Sequence, residues 1–435
     1  MRLHILASAV IFGLGAATLA VSAEGDDGPS REETFRQLDL FADVLTRIES
    51  DYVTDPDKAE LIESAIDGML QALDPHSSYL TPDDFQDMQV STRGEYGGVG
   101  IEVTIRDEMI TIISPIADTP GERAGLEPGD RIIAVDGESM LGADMNDAVD
   151  RMRGPAGEPV ILTIAREGED PFDVTVVRDI IEVRAASWRM EEGDTPYLRI
   201  TTFNEQTTEN VVAGVRDLRE AYGGPLPGLV LDLRSNPGGL LDQSVSVSSL
   251  FLDGGEVVST RGRDPRDTQR YNAEPGDMLN GAPIVVLINQ GSASASEIVT
   301  GALKDRERAT VLGMTSFGKG SMQTVIPLRG GRDGALRLTT ARYYTPAGVS
   351  IQATGITPDI AVASRRIDPE APSRFTEADL RNALGNEAGV ERAEIDAETV
   401  EQPPEDWAED EDYQLARAIE VLQAMMARDQ AALER

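Results

Sequence analysis

Residues 283–303 read PIVVLINQGSASASEIVTGAL and join a strand pattern to a helix pattern across a short turn. The apolar run from Ile284 to Ile288 is unbroken, which is typical of a parallel strand covered on both faces. Serines at positions 292, 294 and 296 follow the turn and open the helix. A serine at such a junction is exposed at the sheet end, and the helix start offers free N–H groups to a developing oxyanion. The stretch predicts an α/β fold with a candidate nucleophile.

The same stretch also fits a purely structural role. Ser294 and Glu297 have the spacing of a capping box, in which a serine at the helix N-cap and a glutamate three residues later satisfy each other's backbone N–H groups. Two neighbouring features favour catalysis instead. A second glycine-rich strand end, LDLRSNPGG at residues 231–239, precedes the serines, and Lys319 follows the next strand.

Lys319 is unusual because this chain places arginine at almost every basic position. Of 39 basic residues only three are lysines, at positions 58, 304 and 319. Arginine keeps its proton near neutral pH, whereas burial can make a lysine neutral and able to act as a base. Apolar neighbours would desolvate the Lys319 amine, namely Phe317, Met322, Val325 and Ile326. The alternative is a surface charge in a glycine turn.

The residues around Lys319 also come close to a phosphate-binding loop. Gly313, Gly318 and Lys319 fill most of the pattern G-x-x-x-x-G-K-S/T. Position 320 is glycine where that loop needs a metal-binding hydroxyl, and the following residues predict a strand rather than a helix. A nucleotide site is therefore disfavoured, and the serine and lysine together suit nucleophilic catalysis with lysine as the base.

Composition excludes several classes of site and partner. The chain has 435 residues, which suggests two or three domains, and a formal net charge of −38, which disfavours nucleic acid and anionic lipid as partners. It has no cysteine and only two histidines, His4 and His76, so neither a thiolate nucleophile nor a zinc site with several histidines can form. The turn sequence around His76, DPHSSYL, favours a structural hydrogen bond over catalysis.

The amino terminus predicts export. Arg2 precedes an apolar stretch from Ile5 to Val21, and Val21-Ser22-Ala23 has the small residues of a cleavage site. The alternative is an uncleaved segment that anchors the chain in the membrane. In either case the rest of the chain is expected outside the cytoplasm, in the periplasm.

Changes of pattern along the chain divide it into regions. Residues 1–23 are the predicted signal, and residues 24–88 carry a helical repeat whose apolar face contains Leu38, Phe41, Val44, Leu45 and Ile48. Residues 89–170 are rich in glycine-punctuated strand patterns, and residues 171–365 alternate strands and helices. Residues 366–435 are acidic and predict a linker followed by a helix, with assembly, partner binding and solubility as open roles.

The β-rich region strongly resembles a PDZ domain over residues 94–168. The resemblance is carried by the loop Gly97-Gly98-Val99-Gly100 and by GERAGLEPGDRIIAVDG at residues 121–137. It implies that the loop and Ile101 offer backbone N–H groups to the terminal carboxylate of a peptide. The peptide would add a strand to the sheet edge beside a helix.

The motifs NPGG, GSASASE and FGKGSMQ, together with the PDZ-like segment, resemble the carboxyl-terminal processing peptidases, or tail-specific proteases, over residues 31–362. The resemblance implies a crotonase-like ββα protease core with an inserted PDZ domain and a serine–lysine endopeptidase that needs no cofactor or metal. It assigns Ser294 as nucleophile, Lys319 as general base and Gln323 as the residue that orients the lysine. The implied oxyanion donors are Ala295 and either Gly238 or Gly239.

The implied partners are protein or peptide substrates with free carboxyl termini. An envelope adaptor protein and a homo-oligomer are further expectations. A rival function of another class is a catalytically silent PDZ scaffold that holds the carboxyl termini of envelope proteins. That alternative predicts a broken Ser/Lys/Gln set, and in this sequence the set is intact.

Overall fold

The computed structural model describes residues 31–106, 109–367, 375–393, 399–408 and 410–433. The chain divides into two compact units, one ending at Ala65 and the other beginning at Ile66. The predicted export signal lies outside the described residues. Among the described helices, none is both long and apolar enough to span a membrane.

The first unit is helical, which confirms the prediction for this region. Helix α1 spans Arg31–Asp51, and helix α2, Lys58–Gln71, begins in this unit. No residue of α1 is buried, and its apolar side chains Leu38, Phe41 and Val44 are exposed. The sequence pattern therefore located the helix, whereas no described residue buries its apolar face.

The second unit opens with a short strand and a capped helix. Strand β1 spans Ser78–Leu80, and helix α3 spans Pro82–Arg93. The Thr81 hydroxyl accepts the Asp84 N–H, and the Asp84 carboxylate accepts the Thr81 N–H, so the helix begins at a capping box. The helix ends at Gly94, whose φ of 72° is left-handed and favours glycine.

Residues 95–182 form the β-rich part that resembles a PDZ domain. Its strands are β2 (Glu95–Gly98), β3 (Ile101–Arg106), β4 (Met109–Pro115), β5 (Arg131–Val135), β6 (Glu138–Ser139), β7 (Pro159–Ala165), β8 (Phe172–Val177) and β9 (Asp179–Glu182), and its helices are α4 (Pro120–Arg123) and α5 (Met145–Met152). The main sheet has the order β3-β4-β5-β7-β8, with β6 on β5, while β2 and β9 form a separate antiparallel pair. Strands β8 and β9 continue this part of the fold beyond residue 170, where the sequence pattern places the boundary.

The second half of the chain is built on a six-stranded sheet, which confirms the α/β class. Its order is β10 (Ala186–Glu191), β11 (Thr195–Ile200), β12 (Leu229–Asp232), β15 (Ile284–Ile288), β16 (Thr310–Gly313) and β19 (Ile360–Ala361). All neighbours are parallel except the antiparallel pair β10 and β11. The uninterrupted apolar run of β15 is buried along its whole length, as expected for a central parallel strand.

The two faces of this sheet are covered by different helices. One face packs against α6 (Thr207–Tyr222), α7 (Leu241–Phe251) and α8 (Ala295–Asp305). The opposite face packs against α9 (Tyr413–Leu433). Successive residues of β15 alternate between these cores, because side chains of a strand point alternately to opposite faces: Val286 lies in the first and Val285 in the second.

A second, antiparallel sheet flanks the first. It contains β1, β18 (Ala335–Tyr344), β13 (Gly255–Gly262) and β14 (Gln269–Ala273) in that order, and β17 (Ser321–Pro327) pairs with β18. Strand β17 begins two residues after Lys319. The lysine therefore lies on the connection between the two sheets.

The carboxyl-terminal helix α9 is part of the core. Ala418 and Leu422 of this helix are completely buried against the sheet. Arg234, after β12, pairs with both Asp232 and Asp412 and so links the sheet to the residue before α9. The sequence left assembly, partner binding and solubility as open roles for this region. The structure shows a different role, because the helix packs against the sheet.

Candidate active site

The candidate residues lie at the carboxyl edge of the parallel sheet. Strands β12, β15 and β16 are adjacent and parallel, so the loops that follow them meet at one edge. The loop after β12 carries Gly238 and Gly239, the loop after β15 carries Ser294, and the loop after β16 carries Lys319. Residues far apart in sequence are therefore neighbours here.

The structure distinguishes the three serines of the loop after β15. Ser292 is fully buried, and its hydroxyl donates to the Leu233 carbonyl at 2.8 Å. Ser296 is also fully buried, and its hydroxyl donates to the Asn236 carbonyl at 2.9 Å. Ser294 lies between them and is partly exposed. Ser294 is thus the serine of the three that a substrate can reach.

The backbone of Ser294 is strained. Its φ is 54° and its ψ is −113°, a combination that a residue with a side chain seldom adopts. Such strain persists only where neighbouring contacts hold it in place. Here the Ala293 N–H donates to the Asn236 carbonyl at 3.0 Å, and the Ser294 N–H donates to Glu297 at 2.8 Å. The turn projects the side chain from the sheet edge, as sequence reasoning expected.

Glu297 joins the serine loop to the lysine loop. Its Oε2 accepts the N–H of Ser294 at 2.8 Å and the N–H of Lys319 at 2.9 Å. Its Oε1 accepts the Ser316 hydroxyl at 2.6 Å and the Gly318 N–H at 2.7 Å. The capping-box contact predicted from the sequence is therefore present, and the same carboxylate also fixes the backbone of Lys319. The structural and catalytic alternatives are not exclusive.

Burial changes the acidity of Glu297. Its side chain is fully buried, and burial raises its pKa to about 7, although the hydrogen bonds from Ser316, Ser294, Gly318 and Lys319 oppose this rise. The ionised carboxylate can accept all four donors, whereas the protonated form uses one oxygen as a donor. The bridge between the loops is therefore strongest at pH values above about 7.

Lys319 is partly buried, and its environment favours a neutral amine. Burial lowers its pKa from the usual range. The charge of Arg337 acts in the same direction, and the charges of Glu377, Glu297 and Asp74 oppose it. The burial predicted for Lys319 is present, although Ile326, one of the apolar residues expected to cover the amine, is exposed. The effect of burial is opposed by carboxylates that the sequence did not reveal.

Gln323 lies on β17, directly after a bulge between Met322 and Gln323. Its amide nitrogen donates to Ser321 at 3.0 Å and to Thr339 at 3.1 Å. Within the described residues no hydrogen bond from Lys319 to Gln323 is present. The side-chain oxygen accepts no hydrogen bond from the described chain, so it is available to an ammonium group.

The candidate oxyanion donors differ in their availability. The Gly238 N–H donates to the Asn236 side chain at 2.9 Å. The N–H groups of Ala295 and Gly239 have no acceptor within the described part of the chain. A Cβ atom at position 238 would lie 2.9 Å from both the Ala295 nitrogen and the Ser294 Cβ. Glycine at 238 therefore leaves open the space beside the nucleophile.

The PDZ loop has comparable free donors. The carbonyls of Val99 and Gly100 accept hydrogen bonds from Gly121 and Ile116, whereas the N–H groups of Val99 and Gly100 have no acceptor among the described residues. Gly97 and Gly98 lie at the end of β2, and Ile101 begins β3, an edge strand of its sheet. This is the arrangement that strand addition by a peptide requires.

Two residues of the site were not predicted from the sequence. Glu297 had a local signal, its capping-box spacing, but its contacts with the lysine loop join residues distant in sequence. Arg392 had no local signal, because it lies in the segment interpreted as linker. Its guanidinium donates to the carbonyls of Thr315, Ser316 and Phe317 and so holds the loop before Lys319.

We predict that the pH dependence of stability reports on Glu297. The Glu297 pKa is higher in the folded than in the unfolded protein, so the folded state binds the proton more tightly. The stability that results is fully present at low pH and is lost as pH rises from about 4.5 to about 7. Relative to a Glu297→Gln variant, the wild-type free energy of unfolding should therefore fall by about 3 kcal/mol over this window. Urea denaturation at about pH 5 and about pH 8 measures the difference.

The exposed Glu205→Gln variant is the matched control and should show no comparable change. A wild-type minus Glu297→Gln difference that is constant with pH would contradict the raised pKa.

Comparison with known proteins adds independent information. Three family models match the chain: Peptidase family S41 over residues 194–362, the PDZ domain over residues 111–166, and the Activating protease CtpB N-terminal domain over residues 16–83. The carboxy-terminal-processing protease of Bartonella bacilliformis is 48% identical over 416 residues, which cover 94% of this chain and 93% of that protein.

The chain also matches a more distant sequence relative and a solved structure. The carboxy-terminal processing protease CtpA of Bacillus subtilis is 33% identical over 358 residues, which cover 82% of this chain and 74% of that protein. Among solved structures, the photosystem II D1 C-terminal processing protease is 30% identical and covers 76% of this chain and 93% of its own, with a TM-score of 0.43. The family models and the sequence relatives confirm the predicted family and enzyme class and disagree with the alternative of a silent scaffold. The chain belongs to the carboxy-terminal-processing proteases of peptidase family S41 and is a serine-type peptidase.

Proposed function

We propose that this peptidase cleaves protein substrates by a serine–lysine mechanism through an acyl-enzyme, after its PDZ domain has bound the substrate's carboxyl terminus. The observation that carries the mechanism is the shared carboxylate of Glu297, whose Oε2 holds the backbones of Ser294 and Lys319 together. Ser294 is also the accessible serine of its loop. Together these residues supply a nucleophile and a base at one sheet edge.

The proposed steps follow from the chemistry of the two side chains. Neutral Lys319 takes the proton of the Ser294 hydroxyl while Oγ bonds to the scissile carbonyl carbon. The tetrahedral intermediate then expels the leaving amine, which takes the proton from the Lys319 ammonium, and an ester remains on Ser294. Water attacks this ester while Lys319 removes a proton from the water. The bond from the acyl carbon to Ser294 Oγ then breaks, Oγ takes the proton back from the Lys319 ammonium, and the acid product leaves.

The charge that develops on the carbonyl oxygen needs preorganised donors. The N–H of Ala295 meets this need because it lies at the start of α8 and has no acceptor among the described residues. Between the two candidate glycines, Gly239 is favoured, because the Gly238 N–H already donates to Asn236. We assign Gln323 to the orientation of the lysine, since its side-chain oxygen is free to accept from the ammonium.

The PDZ domain is proposed to select substrates by their free carboxyl terminus. The free N–H groups of Val99 and Gly100 suit a carboxylate, and the exposed edge of β3 suits the residues that precede it. A tail held in this way would feed upstream residues toward the catalytic core of the same chain.

We further propose that the protein works outside the cytoplasm, on the basis of its amino-terminal sequence. The apolar stretch from Ile5 to Val21 with Arg2 before it supports export. Cell fractionation should place the protein in the periplasm, and amino-terminal sequencing should find its first residue at or near Glu24. A full-length protein in the cytoplasmic fraction would contradict this.

The catalytic assignment predicts the kinetics of three variants. Ser294→Ala, Lys319→Ala and Lys319→Arg should each lose at least roughly 10³-fold in kcat on an unfolded substrate with a free apolar tail, because each removes the nucleophile or the base. Lys319→Arg is the decisive change, since arginine keeps the charge but does not give up its proton near neutral pH. The measurement is cleavage followed by gel electrophoresis and mass spectrometry.

Lys304→Arg is the matched control, because the Lys304 amine pairs with Asp359 and donates to the Thr357 carbonyl, and arginine can keep both contacts. It should cleave at close to the wild-type rate. Activity of Lys319→Arg near that of the control would refute a general-base role and leave only an electrostatic one.

Tail recognition predicts a preference for a charged terminus. A peptide that ends in a free carboxylate should bind the Ser294→Ala protein at least roughly tenfold more tightly than the same peptide with an amidated end, because charge-assisted hydrogen bonds are lost in the amide. Fluorescence anisotropy with both peptides measures this. Equal affinities would argue against recognition of the terminal carboxylate.

A further inference from the structure

The segment at residues 375–393 was interpreted from the sequence as linker, yet it packs behind the Lys319 loop. Its 3₁₀ turn, Glu377–Asp379, is capped by Asp379, whose carboxylate accepts the Thr376 N–H at 2.8 Å. This turn places the Glu377 carboxylate in the interior, with none of the residue exposed to solvent. A buried carboxylate is costly unless its partners satisfy it, so its contacts indicate why it is there.

Glu377 is connected to the residues on both sides of Lys319. Its N–H donates to the Phe317 carbonyl at 3.3 Å. Its carboxylate Oε1 accepts the Gln352 side-chain amide at 2.9 Å, and the oxygen of that amide accepts the Gly320 N–H at 2.9 Å. One contact precedes the lysine and the other follows it, so Glu377 and Gln352 together fix the course of the loop.

Gly320 is required by this arrangement. A Cβ atom at position 320 would collide with the backbone nitrogen of Gln352. A side chain there would push Gln352 away and break the link from Gly320 to Glu377. The glycine that spoils the phosphate-loop pattern is thus the residue that lets Gln352 approach.

The other side of the Glu377 carboxylate meets His76. The His76 Nε2 lies 2.9 Å from both carboxylate oxygens. An ionised carboxylate can only accept, so with ionised Glu377 this ring nitrogen is the donor. His76 is held in turn by Asp74, which accepts the His76 N–H at 2.8 Å. The histidine predicted to make a structural hydrogen bond therefore makes one with a residue of the lysine environment.

Four charged side chains influence the Lys319 amine most strongly. Glu377, Glu297 and Asp74 are negative, and Arg337 is positive. Glu377 has the strongest influence of these four on the amine. His76 contacts the Glu377 carboxylate directly, Asp74 binds the His76 backbone, and Asp379 lies in the same turn as Glu377.

We propose that Glu377 is a positioning residue for Lys319: with Gln352 it holds the 317–320 loop, and its buried charge, oriented by His76, governs how readily the lysine releases its proton. The proposal rests on the serine–lysine mechanism proposed above. A negative charge near an amine favours the ammonium form. Glu377 thus opposes the effect of burial and gives Lys319 enough basicity to remove the serine proton.

The scarcity of lysine allows a direct test by NMR. The chain has only three lysines, so protein labelled with ¹³C at the lysine ε carbon gives three resonances, and the one absent from Lys319→Ala belongs to Lys319. The titration is run in the Ser294→Ala background, which removes self-cleavage. Glu377→Gln should shift the Lys319 midpoint to lower pH by roughly one pH unit, because the ammonium loses a stabilising charge. Glu377→Asp should shift it much less.

Two further variants separate charge from geometry. Gln352→Leu breaks the link to Gly320 without a change of charge, so it should lower kcat roughly tenfold while the Lys319 midpoint stays within a few tenths of a pH unit. Glu391→Gln, the matched control, removes a carboxylate charge from an exposed position of the same segment, and it should leave the midpoint unchanged. Circular dichroism identifies any variant that does not fold. If Glu377→Gln does not fold, the kcat of Gln352→Leu still tests the positioning of the loop, and a wild-type kcat in that variant would overturn the proposal.

In enzyme that carries Ser294, Glu377→Gln should shift the rise of kcat with pH in the same direction as the NMR midpoint. An unchanged midpoint in Glu377→Gln, or an equal shift in Glu391→Gln, would overturn the proposal. Full activity of Lys319→Ala would instead overturn the serine–lysine mechanism itself. The two failures are therefore distinguishable.

Discussion

The buried carboxylate of Glu297 is the interaction on which the site depends. One carboxylate oxygen accepts two backbone N–H groups, and the other accepts one backbone N–H and one hydroxyl. Glu297 thereby joins the loops after β15 and β16. A carboxylate without water is expensive, and four short hydrogen bonds are what makes its burial tolerable. Because one carboxylate binds the backbone of both loops, a movement of either loop alone would break hydrogen bonds to Glu297. The spacing of serine and lysine follows from this constraint rather than from any direct contact between their side chains.

The surroundings of Lys319 show two opposing effects. Burial and Arg337 favour the neutral amine, whereas Glu377, Glu297 and Asp74 favour the ammonium. A lysine that is too easily neutral is a weak base, and one that holds its proton too firmly is no base at working pH. The fold balances these effects with groups from the segment before β1, from α8 and from the 3₁₀ turn near residue 377. The region after the last sheet strand, which the sequence pattern marks as linker and helix, therefore contributes to both the site and the core.

Local patterns were enough to predict much of this protein. The apolar run at Ile284–Ile288, the serine-rich helix start and the glycine loops are signals contained within a few residues, and they predicted the α/β class and the nucleophile and base candidates. The PDZ region was predicted from its resemblance to a known family. The helical face at Leu38 and Phe41 was also recognised, since helical period alone reveals it. Patterns did not reveal Glu377 or Arg392, because nothing in RFTEADL or in an acidic linker distinguishes a buried glutamate or arginine from an exposed one.

The sequence by itself determined the chemical possibilities. With no cysteine, one histidine beyond the amino-terminal segment and three lysines, it left serine and lysine as the plausible nucleophile and base. Only the tertiary structure shows how the environments of residues that are equivalent in the local pattern differ. It buried Ser292 and Ser296 and left Ser294 accessible, and it occupied the N–H of Gly238 while leaving that of Gly239 free. These choices depend on which backbone carbonyls and amides lie nearby, and those neighbours come from strands that are adjacent in the sheet but distant along the chain.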